Sequence, residues 1–86
     1  MPRLSEFFGI IISMYYNDHA PPHFHARYSD YEATMLIDTL EIYEGELPHR
    51  ALAMVLEWAV SYRSELFRNW ERARQGKQLK RIQPLE

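Results

Sequence analysis

The sequence contains no cysteine. Disulfides and thiolate metal sites are thereby excluded, and a small disulfide-stapled secreted scaffold is not expected. Long apolar runs are missing as well. The best candidate, Phe7 to Met14, is far too short to cross a bilayer. The opening Met-Pro-Arg-Leu-Ser-Glu lacks the apolar stretch of a signal peptide. A cytoplasmic location with no membrane partner is the resulting expectation. Basic side chains are scarce in the first half. Residues 1–47 hold only Arg3 and Arg27 against eight carboxylates, whereas residues 48–86 hold eight basic groups against four acidic ones. The net charge of −2 hides this split. Halves of opposite sign can pair within the chain or with another chain, and the basic half suits phosphate.

What is present is enough for one core. The 86 residues are 47% apolar and 14% aromatic, which argues against disorder and for one domain over 1–86. Its expected parts are a β-rich segment 1–47, a helical segment 48–76 and a tail 77–86. Residues 8–16 are β-branched and aromatic and read as one buried strand, ended by Asn17-Asp18 and Pro21-Pro22. His23–Tyr28 and Tyr31–Asp38 alternate around Ser29-Asp30, which predicts a two-residue hairpin. Its register sets Tyr28 opposite Tyr31, Arg27 opposite Glu32, Ala26 opposite Ala33, His25 opposite Thr34 and Phe24 opposite Met35. Phe24, Ala26, Ala33, Met35 and Ile37 then share a core face. His23, His25, Arg27, Glu32 and Thr34 share a solvated one. Glu41–Glu46 suits a short acidic edge strand.

From Pro48 the period becomes helical. One stripe is Leu52, Val55, Leu56, Ala59, Leu66 and Trp70. Another is Ala51, Met54, Trp58 and Tyr62, so one side should pack on the sheet and the other on a second helix or another protomer. Ser61 or Ser64 is placed to cap a second helix over 65–75, with Gly76 as its stop. Residues 79–85 suit a tail or a last short strand. The fold class is therefore α+β: a small antiparallel sheet of three to four N-terminal strands packed by one or two C-terminal helices. Trp58, Tyr62, Phe67 and Trp70 read as core or interface, and His49 as structural.

The residues best suited to chemistry lie in Asn17-Asp18-His19-Ala20-Pro21-Pro22-His23-Phe24-His25-Ala26-Arg27. His23 and His25 are two apart on an expected strand, so both rings leave one face. His19 lies across a stiff Pro-Pro, and Asp18 adds a carboxylate. Two chemistries use this set. His19, His23 and His25, with Asp18, can hold a divalent metal such as zinc with one position open for water. Alternatively, without a metal, His19, His23 and His25 serve as acid and base while Arg27 stabilises a phosphate. The competing reading is architectural, with the histidines hydrogen-bonded at a sheet rim. At the basic end, Arg68, Arg72, Arg74 and Lys77 are the candidate nucleic-acid contacts, against a plain solvated helix face.

Phe7 to Tyr28, with its Asn-Asp-His-Ala-Pro-Pro-His-Phe-His core, resembles the start of the domain-of-unknown-function 4160 family. So do Glu44-Gly45-Glu46-Leu47-Pro48, Arg50-Ala51-Leu52, Glu57-Trp58-Ala59, Asn69-Trp70 and Ile82-Gln83-Pro84-Leu85. The resemblance implies a short prokaryotic protein and a small partner protein of the domain-of-unknown-function 2442 family. Such pairs look like toxin–antitoxin modules. No catalytic residues come with it; Asn17, Asp18, His19, Pro21, Pro22, His23, Phe24 and His25 are family-typical only. The expected function is one component of such a two-protein module, with ribonuclease-like or metal-dependent activity at the His-rich loop. Two alternatives stay open: a non-enzymatic protein-binding module in which that loop is structural, and a nucleic-acid binder using the basic C-terminal region.

Overall fold

A computed structural model describes residues 2–86. Five strands run in chain order: β1 (Arg3–Phe7), β2 (Ile10–Ser13), β3 (His23–Tyr28), β4 (Tyr31–Leu36) and β5 (Ile42–Gly45). They form one antiparallel meander, β1-β2-β3-β4-β5, and one helix follows, α1 (His49–Arg74). The α+β class stands, but the sheet has five strands and not three to four.

The extra strand comes from a turn hidden inside an apolar run. Residues 8–16 are not one strand. Phe8 and Gly9 both take left-handed φ, 50° and 80°, and fold β1 back on β2. Two positive φ values in a two-residue loop match the right-handed twist of the strands they join. Leu4 and Phe7 are buried from β1, but a bulge between Arg3 and Ser5 breaks the alternation that would have marked it.

The β3–β4 hairpin has the expected register, from Tyr28 opposite Tyr31 to Phe24 opposite Met35. Phe24, Ala26, Ala33, Met35 and Ile37 are all buried. The other face departs from expectation. Arg27 and Glu32 are exposed, yet His23 keeps only 2% of its surface. The start of β3 lies beneath the 17–22 loop and against Trp70, whose ring centroid is 5.1 Å from that of His23. β5 forms at the edge, where Glu41–Glu46 was expected. Gly45 is required there: φ is +81°, and a Cβ would overlap the Glu32 carbonyl oxygen.

Helix α1 is kinked at Tyr62, whose φ of −119° and ψ of 23° are not helical. The kink joins two helical segments and lies between Ser61 and Ser64, near the start expected for a second helix. The buried side of α1 draws on both apolar stripes: Ala51, Val55, Trp58, Ala59, Leu66, Trp70 and Ala73. The helix ends in a Schellman motif, with Lys77 N–H donating to the Arg72 carbonyl (2.8 Å), Gly76 N–H to that of Ala73 (3.3 Å), and Gly76 at φ 71°.

The chain itself covers part of the remaining apolar arc. Residues 77–86 form no helix or strand but return along the molecule. Ile82 is buried and its N–H donates to the Leu4 carbonyl at 2.7 Å. Trp58 Nε1–H donates to the Gln83 carbonyl at 2.7 Å. Asn69, 1% exposed, donates from Nδ2 to the Lys80 carbonyl and accepts from Lys80 N–H at Oδ1, both at 2.9 Å. One amide side chain thus pairs with the tail as a strand would. Among the described residues, no helix is long and apolar enough to cross a membrane.

Candidate functional site

The 17–22 loop joins β2 to β3 and lies over the start of β3. Asn17 takes a left-handed φ of 55°, a conformation asparagine tolerates well, and the Ala20–Pro21 peptide bond is cis. The loop turns Asp18 back toward the strand that follows. Asp18 Oδ2 lies 2.8 Å from His23 Nε2 and 3.4 Å from His25 Nε2. Asp18 Oδ1 accepts the His19 backbone N–H at 2.9 Å. The Asp18 side chain keeps 17% of its exposure and that of His25 keeps 14%.

The far nitrogens of the two rings are occupied. His23 Nδ1–H donates to the Pro21 carbonyl at 2.7 Å. His25 Nδ1 faces the Thr34 hydroxyl at 3.4 Å and Glu32 Oε2 at 3.9 Å. Aromatic rings frame the pair: Tyr15 meets His25 edge-on at 4.6 Å, and Trp70 lies beside His23. When an imidazole gives its Nδ1 proton to a carbonyl, its Nε2 presents a lone pair. That holds for His23, whereas the Thr34 hydroxyl can donate or accept and leaves the His25 proton free to sit on either nitrogen. The two Nε2 atoms and one carboxylate oxygen lie within 4.8 Å of one another. A proton on either Nε2 makes a hydrogen bond to the carboxylate, and with both lone pairs free the three atoms can ligate a metal ion.

Burial acts to raise the Asp18 pKa, but the His19 backbone hydrogen bond, the side-chain hydrogen bonds from His23 and His25 and the His23 charge outweigh it. Together they hold the carboxyl below its ordinary value. The group at the centre of the cluster is thus an ionised carboxylate at neutral pH.

The candidate residues separate here. Asp18, His23 and His25 come together. His19 is adjacent but turned away: its side chain is 72% exposed, its Nδ1–H donates to the Ala20 carbonyl at 3.2 Å, and its Nε2 is 3.7 Å from Asp18 Oδ1. The His19 and His23 ring centroids are 5.4 Å apart, and those of His23 and His25 are 5.3 Å apart. Arg27 sits further along β3, exposed and opposite Glu32. At the basic end, Arg68 lies 4.0 Å from Glu65, Arg74 lies 3.2 Å from Glu71, and Arg72 donates to Asn69 Oδ1 at 2.9 Å. Lys77 is exposed just past the helix. The sequence pattern does not show Tyr15 and Trp70 as supporting residues, nor the Pro21 carbonyl as the partner of His23. The hairpin register does place Thr34 and Glu32 on the face of His25.

A family model described as Domain of unknown function (DUF4160) matches residues 9–71. The chain belongs to that family. The matched span includes the whole Asp18–His25 cluster and Asn69-Trp70, so the family's defining region contains both the site and the helix segment packed against it. No curated protein and no solved structure matches the chain.

Proposed function

We propose that this DUF4160 protein binds one divalent transition metal through His23 Nε2, His25 Nε2 and Asp18 Oδ2, and that this centre carries its activity. The observation behind the reading is the orientation of the two imidazoles. Each has its Nδ1 side engaged by an oxygen, and each turns Nε2 toward the same carboxylate oxygen. Ligating histidines are typically held this way, with the outer N–H on a carbonyl or another oxygen. Tetrahedral zinc with bonds of about 2.0–2.1 Å spaces its ligands roughly 3.3 Å apart. The two Nε2–Oδ2 distances, 2.8 and 3.4 Å, lie close to that spacing.

Held by His23, His25 and Asp18, such a metal would supply activation of water for hydrolysis. His19, exposed at the rim, is placed to exchange protons with bulk water or to add a fourth ligand. In a two-protein module of toxin–antitoxin type, such a centre is the activity that a partner holds in check.

A second reading rests on one specific distance. At 2.8 Å, His23 and Asp18 form an ordinary charge-assisted hydrogen bond. His23 with both nitrogens protonated satisfies Asp18 and Pro21 together and fastens the loop to the sheet without any metal. Elemental analysis of untagged protein, together with calorimetric titration of zinc chloride into metal-free protein, separates the two. The metal reading expects one equivalent per chain and loss of saturable binding in His23→Ala, His25→Ala and Asp18→Asn. Absence of saturable binding in the parent protein sinks it.

A further inference from the structure

The two edges of the sheet are treated differently. β1 is met by the returning tail through Ile82 N–H and the Leu4 carbonyl. β5 is hydrogen-bonded to β4 on one side and to no other strand among the described residues. Such an edge leaves a row of backbone donors and acceptors for another strand. All four β5 residues are exposed, and Ile42 and Tyr43 keep 38% and 49% of their surface, with Tyr31 of β4 at 42%.

Charge says what fits this edge. Residues 28–48 contain six carboxylates, Asp30, Glu32, Asp38, Glu41, Glu44 and Glu46, and no lysine or arginine. Among the described residues none of the six pairs with a lysine or arginine of this chain; Glu32 reaches only His25, at 3.9 Å. Two copies joined edge to edge through β5 would set these carboxylates against one another, and like charges facing across strands are destabilising. The edge is therefore guarded against self-pairing and attractive to an extended segment of opposite charge.

We propose that β5 is a docking edge for an extended, lysine- or arginine-rich segment of a partner protein, which adds as a sixth strand. Main-chain hydrogen bonds to β5 supply affinity, and the carboxylates around it select the basic partner. This reading is independent of any metal.

The test is fluorescence anisotropy of a labelled eight-residue peptide alternating lysine and valine, titrated with the full chain at low salt. Saturable binding is expected. It should weaken by about tenfold or more as salt is raised to screen the carboxylates, and comparably in the triple variant Glu41→Lys, Glu44→Lys, Glu46→Lys. The same peptide N-methylated at alternate residues keeps its charge but loses donors, and it should bind poorly. Slowed amide exchange at residues 42–45 should accompany binding of the unmodified peptide. No binding, equal binding of a glutamate–valine peptide, equal binding of the N-methylated peptide, or sedimentation of the free protein as a β5-dependent dimer would each overturn the proposal.

Discussion

Two buried polar clusters sit in this small protein, and they are built on opposite plans. Around Asn69, a neutral amide meets the backbone of Lys80 donor to acceptor and acceptor to donor, with Arg72 on the remaining lone pair. Everything there is matched within the chain, and the result is a fastening that holds the tail to the helix. Around Asp18, two imidazoles direct nitrogens at one carboxylate oxygen while oxygens occupy their far sides. That arrangement brings three possible metal ligands together, and the same contacts can also be bridged by protons. The first cluster reads as architecture, and the second is the one on which the proposed metal site rests. Burial alone does not distinguish them, since His23 and Asn69 are 2% and 1% exposed.

The contrast breaks most readily at the two buried side chains. His23→Ala should cost about 3 kcal/mol of stability, as loss of one partner from a buried pair does, and should also abolish metal binding; denaturant unfolding and zinc titration read the two effects. Asn69→Ala should cost about 2–3 kcal/mol, because the Lys80 N–H and carbonyl lose their partners, while zinc affinity stays unchanged. Equal loss of zinc affinity in both variants would erase the distinction between fastening and site.

Smaller effects sharpen the comparison. His25→Gln should abolish saturable zinc binding through loss of a ligand, and Thr34→Val should lower zinc affinity by about tenfold through loss of support to a ligand, with little change in unfolding for either. The acid limb of stability is set at Asp18. Its folded pKa lies below the unfolded one, so the stabilisation is present in full above about pH 4–5 and is lost as pH falls through the folded value. The stability gap between the parent and Asp18→Asn should therefore narrow as unfolding is followed from pH 7 to pH 2. Least affected is His19→Ala, whose exposed ring should contribute less than about 0.5 kcal/mol to stability.

Much of the sheet was legible because strand alternation has a period of two. With Ser29-Asp30 as a two-residue turn, every partner from Tyr28–Tyr31 to Phe24–Met35 follows. β1 was not legible, because its bulge spoils the period and Phe8-Gly9 reads as apolar sequence rather than as a turn. The helix break at Tyr62 fell near the serines expected to divide two helices, but only backbone geometry places it. At the cluster, spacing put His23 and His25 on one face, and the register added Thr34. It could not show that this face is covered at His23, because the cover comes from Trp70, 47 positions away in the chain.

What the sequence determined by itself is local: the hairpin register, the helix, the acid–base split between the halves, and a histidine-rich loop flanked by prolines. These follow from periodicity, turn chemistry and side-chain charge. Tertiary structure alone decided which groups act together. It folded Asp18 over His23 and His25, left His19 in water, and turned Arg72 toward Asn69. It also laid the tail along β1, leaving β5 open. Those outcomes depend on how a loop and a broken helix close over a twisted sheet, and no short-range pattern encodes that closure.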